Sequence, residues 1–196
     1  MTLLAWRRAV AALYADVRST ATADPDGALA RFRSGRDRLF REHPDSPLPP
    51  DTRATYPGVP YWPRDPALRF ESAVEPLPPV AGTATSLTGE AFPLLRIGRV
   101  RLPVGDLEVY WIDVYGGGVF VPFRDATSGA ETYGAGRYLL DTAKGADLGG
   151  SDDRLVLDFN YAYHPSCAYD PRWSCPLAPL ANRLAVPIRA GERLGR

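Results

Sequence analysis

A chain of 196 residues, 45% apolar and 11% aromatic, suffices for one domain with a sizeable core, or for one domain with a helical appendage. Acidic and basic residues balance at 23 each, so no global field draws it to nucleic acid or to an anionic membrane. Twenty prolines and 18 glycines suit short strands and turns better than helices. No run approaches the roughly 18–20 apolar residues of a membrane span. The start MTLLAWRRAV has arginines after its apolar residues and no long apolar centre, so it does not read as a signal peptide. A cytoplasmic protein with reduced cysteines is expected.

Leu3, Trp6, Val10, Leu13 and Val17 alternate in steps of three and four, which predicts a helix over about residues 2–18. Asp24 is placed to cap a second helix whose first residue is Pro25. Its stripe is Leu29, Phe32, Arg36 and Leu39 or Phe40, and His43-Pro44 ends it. Arg31, Arg33, Arg36, Arg38 and Arg41 make this helix basic, either as a solvated face or as a site for an acidic partner. Residues 1–43 thus read as a helical hairpin packed on the rest.

Residues 44–66 contain eight prolines, which excludes an interior strand because ladders need amide donors. Tyr56, Val59, Tyr61 and Trp62 are too apolar for a solvated linker, so an extended strap sealing the rim of a sheet is expected. Residues 67–196 carry the punctuation of an antiparallel β domain. Candidate strands are 67–74, 80–87, 91–97, 99–104, 106–115, 118–124, 131–140, 153–163 and 183–189. No helical period of ten or more residues intervenes, so βαβ units are excluded. The fold is mainly β: an antiparallel barrel or a strongly curled sandwich, with two N-terminal helices over one end or face.

Several stretches could carry chemistry. Phe123–Gly129 reads as a hairpin loop in which Asp125 accepts turn amides, or as a polar rim where Arg124, Asp125, Thr127 and Ser128 orient a ligand. Glu131, Tyr133 and Arg137 share one face of the next strand, with Tyr138 beside them. In 155–163, alternation puts Leu155, Leu157, Phe159, Tyr161 and Tyr163 on a core face and Asp158 and Asn160 on the other. That second face meets water in a sandwich but lines a cavity in a barrel. His164, Cys167 and Cys175 have irregular spacing for a metal site, so no metal is expected. A Cys–His pair, a disulfide and two buried free thiols are the other readings. The stretch Tyr169–Pro179, rich in proline and aromatics, suits a lid or binding wall to which Tyr163, His164, Tyr169 and Trp173 contribute.

Three segments, RFRSGRDRLFREHPDSPLPP, VFVPFRDATSGAETYGAGRYL and LDFNYAYHPSCAYDPRWSCPLAPLANRLAVPIRAGE, give the chain a resemblance over nearly its whole length. It resembles the domain-of-unknown-function 1684 family of bacterial and archaeal proteins, which implies no particular activity. Where that family reads Asn-Pro before the first cysteine, this chain has His164-Pro165, which makes His164 an individual feature.

By elimination, the expected function is a small-molecule-binding β protein. It would act by acid–base catalysis as a cofactor-independent isomerase, cyclase or lyase on a secondary-metabolite-like substrate. Asp158, Asp125 or Glu131 would serve as acid or base, Arg124 or Arg137 as the oxygen-polarising cation, and Asn160, Tyr133, Tyr138, Tyr163, His164, Tyr169 and Trp173 as ligand contacts. The alternatives are a non-catalytic ligand-binding or interaction module, and a metal-dependent enzyme using His164, Cys167 and Cys175. A small-molecule ligand is the expected partner, with a homodimer left open.

Overall fold

The computed structural model describes residues 1–195. Helix α1 spans Thr2–Thr20 and α2 spans Pro25–Glu42. Asp24 caps α2 as expected, its carboxylate accepting the Gly27 amide, and His43 ends it in extended backbone. Tyr14 and Val17 of α1 are buried, whereas Leu3, nominally in the same stripe, is 56% exposed because the first turn overhangs the body. The helices cross closely at Gly35, where an added Cβ would lie 2.3 Å from Leu13 Cδ2.

Eight strands follow: β1 Arg69–Ala73, β2 Glu75–Thr85, β3 Ala91–Leu102, β4 Gly105–Ile112, β5 Val119–Phe123, β6 Arg137–Asp141, β7 Gly150–Ser151 and β8 Arg154–Asp158. They form two antiparallel sheets, of order β2-β3-β4-β5-β6 and β1-β8-β7. Both orders are open, and no closed barrel forms among the described residues. Between the sheets lies an open cleft of about 230 Å³, lined by Val74, Ile97, Val109, Val119 and residues 151–155. Val100, Leu107 and Val109 of one sheet meet Leu157 of the other in a filled core, which Val17, Leu29 and Phe32 of the helices share.

Several expected strands differ. The segments 91–97 and 99–104 are one strand, because a register shift between Arg96 and Gly98 absorbs the irregularity without ending the ladder. The stretch 131–140 is strand only from Arg137. Before it, Thr132 hydrogen-bonds to Thr127 through both amide and hydroxyl, and Gly136 has φ +103°. The stretch 183–189 is not a strand apart from a parallel bridge between Arg124 and Arg183. At its end and just beyond it, the carbonyls of Ile188, Ala190 and Glu192 all accept from the Arg137 guanidinium, so they are not free for a ladder.

The aromatics of 44–66 pack chiefly on α2 and the C-terminal segment rather than on a sheet rim. Tyr56 lies 6.2 Å from Phe40, Arg33 sits 4.4 Å over Tyr61, and Tyr61 bridges to Glu192. The C-terminal segment turns at Gly191, φ +73°, where a Cβ would come within 2.4 Å of the Ala162 carbonyl oxygen. Gly191→Ala should therefore lower the unfolding free energy by more than about 1 kcal/mol, measured by urea denaturation.

Candidate functional site

Two helices laid against the edge of a sheet leave a crevice where they meet the C-terminal loop. It encloses about 70 Å³, room for a few waters or the functional end of a small organic molecule. Trp6, Val10 and Tyr14 come from α1, Arg36 and Phe40 from α2, Tyr138 and Asp141 from β6, and Tyr163, His164, Tyr169 and Cys175 from the loop.

Local geometry explains how the charged groups arrive there. After β6 the chain makes a 3-10 turn over Thr142–Lys144, closed by Gly145 at φ 84°. Side chains three apart eclipse in such a turn, so Lys144 Nζ stands 3.5 Å from Asp141 Oδ2. Arg7 of α1 ties the turn down by donating to the Ala143 carbonyl at 2.8 Å. Asp141 is buried, and its Oδ1 has no hydrogen-bond partner, as is also true of Tyr14 Oη. Two residues that line the crevice thus each carry a buried polar atom without a partner, and each such atom costs about 1–3 kcal/mol if left unsatisfied.

Arg36 underlies the crevice, its guanidinium 4.7 Å over Phe40 and 4.9 Å over Tyr163, and paired with Glu192. Burial works against its charge, but the Glu192 carboxylate outweighs this and holds the guanidinium well above its ordinary pKa. Glu192 Oε2 also accepts from the His164 amide and from Tyr169 Oη, both at 2.7 Å. The Tyr14 hydroxyl is pushed up by burial and by Glu192 and Asp141, against the pull of Arg36. Burial drives His164 down to about 4, with Arg137 and Arg36 helping and Glu192 opposing. Its neutral ring accepts the Tyr133 amide at Nε2, over 3.2 Å.

Of the side chains expected to form a site, Tyr138, Tyr163, His164 and Tyr169 do line this crevice. The expected acids and bases lie elsewhere. Asp158 ends β8 by accepting the Asn160 amide and side-chain Nδ2, at 2.9 and 2.8 Å, which starts a 3-10 turn at Phe159. The expected alternation therefore stops at Asp158, and Asn160 turns to clamp both backbone polar groups of Asp65. Asp158 borders a separate open groove of about 320 Å³. Burial raises its pKa, and the Asn160 hydrogen bonds pull it back.

Asp125 and Arg137 form an ion pair at 2.7 Å, each side chain 1% exposed, which is an internal clamp and not a rim. Glu131 meets Arg189 at the surface through two contacts of 2.9 Å. Arg124 donates to the Ala135 carbonyl at 3.3 Å, and Trp173 Nε1 to that of Pro47, also at 3.3 Å, so both pin loops. Tyr133 stands behind the crevice against His164 and Cys167. His164, Cys167 and Cys175 do not gather as ligands. Among the described residues, no three His, Cys, Asp or Glu side chains are placed to hold a metal ion.

Asp141, Lys144, Tyr14, Arg36 and Glu192 are the crevice and floor residues that sequence reasoning missed. Arg36 carried a signal, being a cation inside an apolar helical stripe, as did Lys144, the only lysine. Asp141, at the end of the run RYLLD, carried none.

An uncharacterized protein of Haloarcula marismortui, known from a solution NMR structure, is 34% identical, with a TM-score of 0.59 over 88% of this chain and 96% of that one. No curated protein matches the chain. The family described as "Protein of unknown function (DUF1684)" matches residues 54–193. This span takes in the central and closing segments, and with them β6 and the loop side of the crevice, so the chain belongs to the DUF1684 family.

Proposed function

We propose that the crevice binds the polar end of a small organic molecule and that the protein acts on it by acid–base chemistry, in the manner of a cofactor-independent isomerase, cyclase or lyase. Asp141, rather than Asp158, is the acid or base. The observation that carries this reading is the unpartnered, buried Oδ1 of Asp141, a residue that lines the crevice together with Tyr14, whose hydroxyl is equally unpartnered. Asp141 is buried among aromatics, and Lys144 Nζ at 3.5 Å from its Oδ2 places a cation beside it. The unpartnered Oδ1 calls for a donor, so the ligand brings a hydroxyl, an amine or an acidic C–H. We read the surrounding scaffold as a strongly curled sandwich, which leaves chemistry to its helix-covered edge.

Non-catalytic binding is the second reading, favoured by an enclosed volume that seats a functional group rather than a whole substrate. Both are tested by comparing wild type with Asp141→Asn and Lys144→Ala in a thermal-shift panel of small hydroxy and amino compounds. Compounds that stabilise wild type should not stabilise Asp141→Asn, and turnover of any that react should fall by roughly 10²–10⁴-fold. Turnover retained without Asp141 would sink the catalytic reading, and stabilisation equal in all three proteins would sink the crevice itself.

A further inference from the structure

The open groove beside Asp158 shares no lining residue with the crevice, so its role is independent of the acid–base reading. In the β1–β8 ladder Arg69 stands directly opposite Asp158, and Glu71 opposite Val156. Side chains two apart on a strand, or directly opposite across a ladder, share a face. These four therefore share one face, while Phe70 and Leu157 turn to the core. With Val17 and Arg18 from the last turn of α1, that face walls a groove of about 320 Å³.

Four charged side chains line the groove, and two of them are already committed. Arg18 Nη1 donates to the Asp147 carbonyl at 2.6 Å, and Glu71 pairs with Arg154 at 3.5 Å. Arg69 and Asp158 remain, and although they face one another across the ladder, no ion pair joins them. Asp158 is 6% exposed; its Oδ1 accepts both Asn160 donors, and its Oδ2 accepts none. A buried carboxylate with an open oxygen requires a cationic donor, and an uncommitted guanidinium suits a carboxylate. Directly opposite residues have Cβ atoms only about 5 Å apart, so one small molecule bearing both charges satisfies the two together. The rest of the wall is largely apolar, with Val17, Ala21, Leu148 and Val156. We propose that this groove binds a free α-amino acid with an apolar side chain. Its ammonium donates to Asp158 Oδ2, its carboxylate accepts from the Arg69 guanidinium, and its side chain lies along Val17, Leu148 and Val156.

Titrating the isotope-labelled full-length protein with leucine, and following backbone amide shifts by NMR, tests this. Amides at Arg69–Glu71, Leu148–Ser151 and Val156–Tyr161 should move, and those of the crevice at Tyr138, Asp141 and Tyr163 should not. A Kd of about 1 mM or tighter is expected. Leucinamide lacks the carboxylate and isocaproate lacks the ammonium, so each should bind roughly tenfold or more weakly. Asp158→Asn keeps an acceptor for Asn160 and loses the charge; it should weaken leucine by a similar factor without weakening isocaproate. Arg69→Gln, at an exposed strand position, should weaken leucine without weakening leucinamide. Shifts confined to the crevice, or none at about 10 mM leucine, overturn the proposal. So does equal affinity for the three compounds, or unchanged leucine binding in folded Asp158→Asn. The three compounds on wild type decide the matter whether or not either variant folds.

Discussion

Arg137→Leu should cost the protein about 3–5 kcal/mol of unfolding free energy, read from urea denaturation at neutral pH, and leave it partly unfolded at ordinary temperatures. The guanidinium is 1% exposed and joins elements distant in sequence: it pairs with Asp125 at 2.7 Å and donates to the carbonyls of Ile188, Ala190 and Glu192. Burial drives its pKa down, and the Asp125 charge opposes that. Removing it strands one buried carboxylate and three carbonyl groups together. Asp125→Ala should come close to the same loss, since it leaves the guanidinium without its counter-ion. An Arg137→Leu chain within about 1 kcal/mol of wild type would mean the pair is not a clamp, and its position as a catalytic candidate would be open again.

A second large effect is expected with pH. The folded protein holds His164 at about 4, against an ordinary 6.5. Below 6.5 the unfolded chain therefore binds a proton that the folded one refuses, so stability rises with pH across this window and is lost on acidification from 6.5 toward 4. A difference of that size is worth about 3 kcal/mol. Asp158, whose pKa is raised, works in the opposite sense, because its protonated form is favoured in the folded state and stability is lost as it ionises; it offsets the loss only at the acid end. Denaturation of wild type and His164→Asn at several pH values isolates the histidine. Asparagine offers an oxygen to the Tyr133 amide and does not titrate, so the variant should show a much flatter acid slope whatever its absolute stability. An unchanged slope would assign the acid sensitivity to other groups.

The two clamps show why the site was less legible than the fold. Asp125, Asp141 and Asp158 all stand near strand ends, and nothing in their immediate neighbours tells them apart. Asp125 is committed to Arg137, and Asp158 to the Asn160 amide and side chain. Only Asp141 keeps a fully buried oxygen with no hydrogen-bond partner. Asn160 in turn is held by Asp65, 95 positions away, so alternation along 155–163 could not survive past Asp158. Arg36 is the instructive exception. A cation inside an apolar stripe must be buried and paired, although its partner, Glu192, lies 156 residues on.

What the chain determines locally, it displays locally. The 3.6-residue stripes, the Asp24-Pro25 start, the glycine-marked hairpins and the period of two are enough for two helices followed by an antiparallel β region, because each depends on residues within a turn or a strand of one another. Whether the sheets close, and which aspartate keeps a buried oxygen without a partner, were decided only when distant segments packed. A filled interior and an open strand order moved the crevice from between the sheets to the seam where helices, β6 and the C-terminal loop converge, and the partners that set its chemistry are neighbours only in space.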